Sequence, residues 1–226
     1  MTIAFFDFDG TVITGDSGLI CAWPTLCAGF LPAPIVASFV GRYLLYKAGL
    51  GTRHAMQRVG FACFRGHTLE ALRARTTDLS SSHLAPKISP AMTTAIAHHR
   101  TRGDKLYILT GAAHFFAEPL GRKLGFDAVY GTQIELADTL CTGRVDGEIL
   151  DGDEKLRLAK RLAEEEGHTL ADCVFYSDHI ADLPLLEAVG KPICVGPHGK
   201  LRRVASERGW PIVEHHDEQR PRKLLA

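Results

Sequence analysis

The 226-residue sequence predicts an α/β fold: a parallel sheet between two layers of helices, with a helical insertion after its first strand. Three observations predict it. Short apolar runs alternate with amphipathic stretches, polar residues stand where those runs stop, and residues 13–88 carry no clear strand signal.

The first run, TIAFF at residues 2–6, is apolar and aromatic and halts at DFDGT, residues 7–11. A short apolar run closed by a turn signal reads as a buried parallel strand. The same grammar returns at residues 105–110 (KLYILT), which stop at Gly111, and at residues 173–177 (CVFYS), which stop at Asp178. Residues 192–195 give a fourth strand and residues 211–213 a short edge strand. Helices are predicted over 90–102, over 114–124 before Gly125, and over 153–166 before Gly167. The last places Leu156, Leu158, Ala159 and Leu162 on or near one face.

Between the first two strands the apolar spacing predicts several helices, among them 53–64 and 68–84. Residues 13–88 therefore read as a helical cap on a core made of residues 1–12 and 89–214. A second interruption, 131–152, reads as a flap of two short antiparallel strands, QIEL and GRVDGEI. The charged tail, 215–226, lacks periodicity and is expected to fray.

Lys and Arg (26) balance Asp and Glu (26), which argues against a nucleic-acid binder, and a 46% apolar composition excludes a disordered chain. Six cysteines without any CxxC spacing fit neither a zinc site nor a disulfide scaffold, so reduced thiols in a cytoplasmic protein are expected. The first residues lack a basic region and Asp7 and Asp9 break their apolar run, so no secretory leader is expected. Residues 17–41 hold no charge, but Pro24, Pro32 and Pro34 would break a single spanning helix. A buried helical pair is expected there, with an apolar face for a membrane surface as the alternative.

The strand ends carry the chemistry. In an extended segment side chains at i and i+2 point the same way, so Asp7 and Asp9 can reach one site. Buried carboxylates gathered without a cation are costly. With Asp178 at another strand end and Asp182 four residues on, the set calls for a hard, oxygen-liking cation, most simply Mg²⁺. Lys155 supplies a positive charge, and Thr110 with the N–H groups of Gly111 and Ala112 makes a cradle for anionic oxygens. Carboxylate, Mg²⁺, lysine and hydroxyl together describe phosphoryl transfer.

DFDGT at 7–11, LTG at 109–111, Lys155 and YSDHIADLPLLEAVG at 176–190 resemble, in this order, the four motifs of the haloacid dehalogenase superfamily. The helical insert directly after the first motif resembles subfamily IB, the group containing phosphoserine phosphatase, and residues 192–212 resemble it too. The resemblance implies a Rossmann-like three-layer core with a C1-type cap, and Mg²⁺-dependent hydrolysis of a phosphomonoester through an aspartyl-phosphate. It implies Asp7 as nucleophile and metal ligand, and Asp9 as acid and base with its carbonyl on the metal. Asp178 would be a direct ligand, Asp182 would act one step removed, and Thr110, Gly111 and Lys155 would hold phosphoryl oxygens. Asp16 would meet a substrate ammonium, unless it only caps a helix, and Arg58 a substrate carboxylate. His114 and His179 adjoin the site loops as candidates for leaving-group contact.

Two motifs depart from the pattern: His179 and Ala181 stand where relatives carry a small residue and an asparagine, and TGAAH stands where relatives often show Ser-Ala-Ser. Small metabolites such as phosphoserine or histidinol phosphate are the expected substrates. The alternatives are a lipid-phosphate phosphatase docking through its apolar cap and a non-catalytic phosphate-binding module. Retention of Asp7, Asp9 and Lys155 argues against the second.

Overall fold

The computed structural model describes residues 2–225. β1 (Ile3–Phe6) has no exposed side chain, as a strand covered on both faces of a parallel sheet requires. The chain then leaves the sheet for α1 (Ser17–Cys27), α2 (Ala33–Lys47), α3 (Arg53–Ala62) and α4 (Leu69–Leu79). Asp16, Thr52 and Thr68 cap α1, α3 and α4 by accepting a backbone N–H three residues on. α2 instead starts after Pro32 with Pro34 in its first turn, where a missing N–H costs nothing. Beyond Leu79 the expected 68–84 helix loosens into a π-helical turn, Ser80–Leu84.

The α1–α2 pair is not buried as a whole. Cys21, Ala22, Val36 and Phe39 face inward, whereas Trp23 is 70% exposed and Leu50, just past α2, 77%. The pair packs inward towards α3 and keeps only one covered face. Among the described residues no helix is long and apolar enough to cross a membrane.

The chain returns through α5 (Pro90–Thr101), β2 (Lys105–Ala113) and α6 (His114–Leu124), which stops at Gly125 in the left-handed region (φ 80°). β3 (Ala128–Thr132) follows, then the antiparallel flap of β4 (Ile134–Ala137) and β5 (Leu140–Val145). The rest alternates: α7 (Asp153–Glu165), β6 (Val174–Ser177), α8 (Leu183–Ala188), β7 (Lys191–Val195), α9 (Gly199–Glu207), β8 (Ile212–Val213) and α10 (Arg220–Leu225). The main sheet runs β3-β2-β1-β6-β7-β8 with every pair parallel. Ala4 and Phe6 join one apolar core with Met92, Ala95 and Leu120, while Ile3 and Phe5 join another with Ala159, Leu162 and Leu185. That split is the two-residue period of a strand sandwiched between helix layers.

Two further elements differ from expectation. β3 was not foreseen, because a half-covered edge strand ending in Gly131-Thr132 carries a turn's composition. The tail does not simply fray: the His215 carbonyl accepts from Ala91 N and Ser89 Oγ, and Leu224 of α10 packs against the core. Residue 226 of that tail lies outside the described residues. Cys27 is exposed and the other five free thiols are buried.

A buried polar relay ties α5 to the sheet. His99 Nδ1 lies 2.9 Å from Asp104 Oδ2 and its Nε2 2.9 Å from Tyr176 Oη, while Thr2 N donates to Asp104. Burial holds the His99 pKa below its usual value. The Asp104 carboxyl also sits low, since the His99 and Thr2 hydrogen bonds outweigh its own burial. A histidine harder to protonate folded than unfolded contributes stability that is full above about pH 6.5 and lost as pH falls, and a depressed carboxyl acts in the same direction at lower pH. Between pH 7 and 5 the thermal midpoint should therefore fall more, or rise less, in the parent than in His99→Gln. An equally steep profile in the variant would show that other groups carry the effect.

Candidate active site

At the carboxyl end of β1 the ladder still holds Asp7, whose N–H donates to Tyr176 O at 2.9 Å. Its Oδ1 accepts from Phe8 N and lies 2.8 Å from Lys155 Nζ. Lys155, on the first turn of α7, is 0% exposed and reaches Asp182 Oδ2 at 2.8 Å as well. Ser177, the last residue of β6, donates to the same Asp182 oxygen at 2.6 Å. Burial works against the lysine's charge, but the Asp182 and Asp7 carboxylates overcome it and hold Lys155 protonated. Asp182 in turn is held ionised, because Lys155 and Ser177 outweigh its burial. For Asp7 burial wins, and its carboxyl is pushed up to about 6.

Asp178 follows β6 and meets the loop after β1. A Cβ on Gly10 (φ 70°) would come 2.2 Å from Asp178 Oδ2, so only glycine allows this approach. Desolvation, then the charges of Asp7 and Asp182, push the Asp178 carboxyl up to about 7. Its hydrogen bond from Thr11 Oγ1 is long, at 3.5 Å. Asp9 reaches outward to the insertion: Ser17 N donates to its Oδ1 at 2.8 Å and Ser17 Oγ to its Oδ2 at 3.2 Å. Burial, then the neighbouring charges of Asp16 and Asp7, hold Asp9 well above the usual carboxylate range.

These oxygens suit a hard cation. The Asp7 charge raises the Asp178 pKa across the ends of adjacent strands, and Asp182 Oδ1 is buried without a partner. Among the described residues no three His, Cys, Asp or Glu side chains could hold a metal by themselves. The fit is to an ion that takes two carboxylates and completes its shell with backbone oxygen and water, as Mg²⁺ does.

On β2 the register with β3 slips between Thr110 and Ala113, which pushes Gly111 out as a small loop. Thr110 is buried, and its Oγ1 accepts from Ala112 N at 3.1 Å. Ala112 N–H is thus engaged within the loop, contrary to the expected cradle. Gly111 faces the insertion, where an added Cβ would meet Gln57 Nε2 at 2.8 Å.

α3 supplies residues the sequence reading missed. Arg53 Nε lies 2.7 Å from Asp151 Oδ2, and Arg53 and Gln57 line the cavity above Asp7. They share one face at i and i+4 with Gly60 and Phe61, whereas Arg58 points about 100° away, is exposed and does not line the cavity. His179 lines it, with Nε2 2.9 Å from Tyr46 Oη of α2 and Nδ1 accepting from Ala181 N. Burial, then the Arg53 charge, push His179 down to about 4, so it is neutral. His114 sits outside the cavity, 3.4 Å from Glu118 on its own helix. Asp16 lines the cavity but uses one oxygen to cap α1. The paired i, i+4 polar residues of α3 were the one available signal for Arg53 and Gln57.

The profile of haloacid dehalogenase-like hydrolases matches residues 4–187. The "Inhibition of morphological differentiation protein" of Streptomyces azureus is 32% identical over 95% of this chain and 79% of its own length. A phosphoserine phosphatase of Mycobacterium tuberculosis is 30% identical over 92% of this chain and 69% of its own, and a histidinol-phosphatase of Neisseria meningitidis 28% over 93% and 97%. Among solved structures, a Bordetella pertussis protein of unknown function superposes with a TM-score of 0.83 at 26% identity, covering 94% of this chain and 98% of that one.

Proposed function

Because the chain belongs to the family of haloacid dehalogenase-like hydrolases, we propose that it is a Mg²⁺-dependent phosphomonoester hydrolase working through an aspartyl-phosphate on Asp7. The observation that carries this reading is Asp7 itself. Its Oδ1 is occupied by Lys155 and Phe8 N, which leaves Oδ2 as the oxygen that attacks phosphorus. The phosphorus–alcohol bond breaks as the new bond to Asp7 forms. Asp9, kept protonated by its surroundings, gives its proton to the leaving alcohol oxygen. The resulting Asp9 carboxylate then takes a proton from the water that cleaves the phosphoaspartate. Lys155, the Thr110 hydroxyl and the Gly111 N–H hold phosphoryl oxygens. Asp7 and Asp178, with the Asp9 carbonyl, would hold Mg²⁺, which Asp182 would support from one step behind. When bound, the ion offsets the charge that these carboxylates and the phosphate bring together. The phosphoserine and histidinol phosphatases among the relatives support a small-molecule substrate.

Phosphate release from a panel of phosphomonoesters tests the reading. Turnover should vanish in EDTA and return with Mg²⁺; activity indifferent to EDTA would overturn the metal's part. Arg53 and Gln57 sit where a phosphoryl group would face the cap. Arg53→Met should lower kcat/KM about tenfold or more, the weight of a hydrogen bond to a charged group. Arg58→Ala should stay within about twofold, since exposed substitutions away from a site are nearly neutral. A larger loss for Arg58 than for Arg53 would reverse this assignment.

A further inference from the structure

A cavity of about 450 Å³ continues from Asp7 and Asp9 into the helical insertion. That is the size of pockets that enclose ligands much larger than a phosphorylated amino acid. Much of its wall within the insertion is hydrocarbon: Val36 and Phe39 from α2, Phe61 from α3, Leu72 and Leu79 from α4, and Phe116 from α6, with Lys47 also on the lining. The polar groups among these walls are mostly engaged already. Thr25 and Thr76 hydroxyls donate to carbonyls of their own helices, Arg75 Nη2 donates to Pro24 O, and Tyr46 holds His179. Asp16 caps α1, and the exposed Arg58 is outside the cavity. Gln57 Oε1 and Arg75 Nε are buried without a partner, room for an isolated oxygen on an otherwise apolar group.

We propose that the alcohol carried by the substrate has an extended apolar body, an alkyl chain or comparable hydrocarbon, seated in this cavity; this rests on the phosphomonoester reading above. Phosphoserine would leave most of the walls uncovered. Each methylene group moved from water into such a site adds up to about fourfold in binding.

The test is kcat/KM for methyl, butyl and octyl phosphate beside phosphoserine and histidinol phosphate, all with Mg²⁺. Octyl phosphate should exceed methyl phosphate and phosphoserine by about a hundredfold or more. A flat or falling series, or phosphoserine as the best substrate, overturns the inference and leaves the phosphatase reading standing. No phosphate release from any of the five overturns both. Ala22→Phe, which fills part of the cavity from α1, should lower the octyl-to-methyl ratio about tenfold or more. An unchanged ratio would place the chain elsewhere and defeat the inference.

Discussion

Asp7→Asn should abolish phosphate release, by about 10⁴-fold or more, the scale seen when a catalytic nucleophile is removed. The substitution is nearly isosteric, so a loss of this size reports chemistry and not a collapsed site. Stability should move the other way. A carboxyl raised to about 6 is one whose ionised form the folded state disfavours at neutral pH. Removing that charge should therefore leave the melting temperature in EDTA equal to or above that of the parent. Lys155 keeps Asp182 as its partner in the variant, so it is not stranded. Residual turnover above about one per cent would point to another phosphoryl acceptor.

Lys155→Met should cost both activity and stability. The ammonium is completely buried and bridges Asp7 and Asp182 at 2.8 Å each. Without it two carboxylates remain in the interior with no ion-pair partner beyond the field of Arg53, a change worth about 3–5 kcal/mol. Urea unfolding would show the loss as a lower midpoint at neutral pH. The double variant Lys155→Met/Asp182→Asn should regain much of that stability and none of the turnover, because only one of the two losses is a matter of unpaired charge. A parental midpoint in the single variant would mean that the buried bridge contributes little to folding.

The parts of the fold legible in the sequence are those whose burial is uniform. β1 and β6 are covered on both faces, so their apolar runs are unbroken and their ends stand out. β3 lies at the sheet edge with half-covered residues, and nothing in Ala-Val-Tyr-Gly-Thr separates it from a turn. The convergence of Asp7, Asp178 and Lys155 could be reasoned from strand ends, because a parallel sheet delivers all its carboxyl ends to one side. The cap's contribution could not. Whether Arg53 or Arg58 faces the core depends on the rotation of α3 about its axis, which its packing on α2 and β5 fixes. No local pattern reports that rotation. The engaged Ala112 N–H was hidden for a related reason, since it follows from the register slip between β2 and β3.

Asp9 has both oxygens tied to Ser17, the first residue of α1 in the insertion. Its carboxyl therefore travels with the insertion, although its backbone belongs to the loop after β1. In the role proposed, proton delivery and enclosure of the substrate become a single mechanical event. An opened insertion would draw the acid away from the leaving oxygen and leave Asp7 with a poor exit for the alcohol. In that role one pair of hydrogen bonds would set the timing: the ester would be cut once enclosed, and an ester that merely brushes the mouth of the site would be released intact.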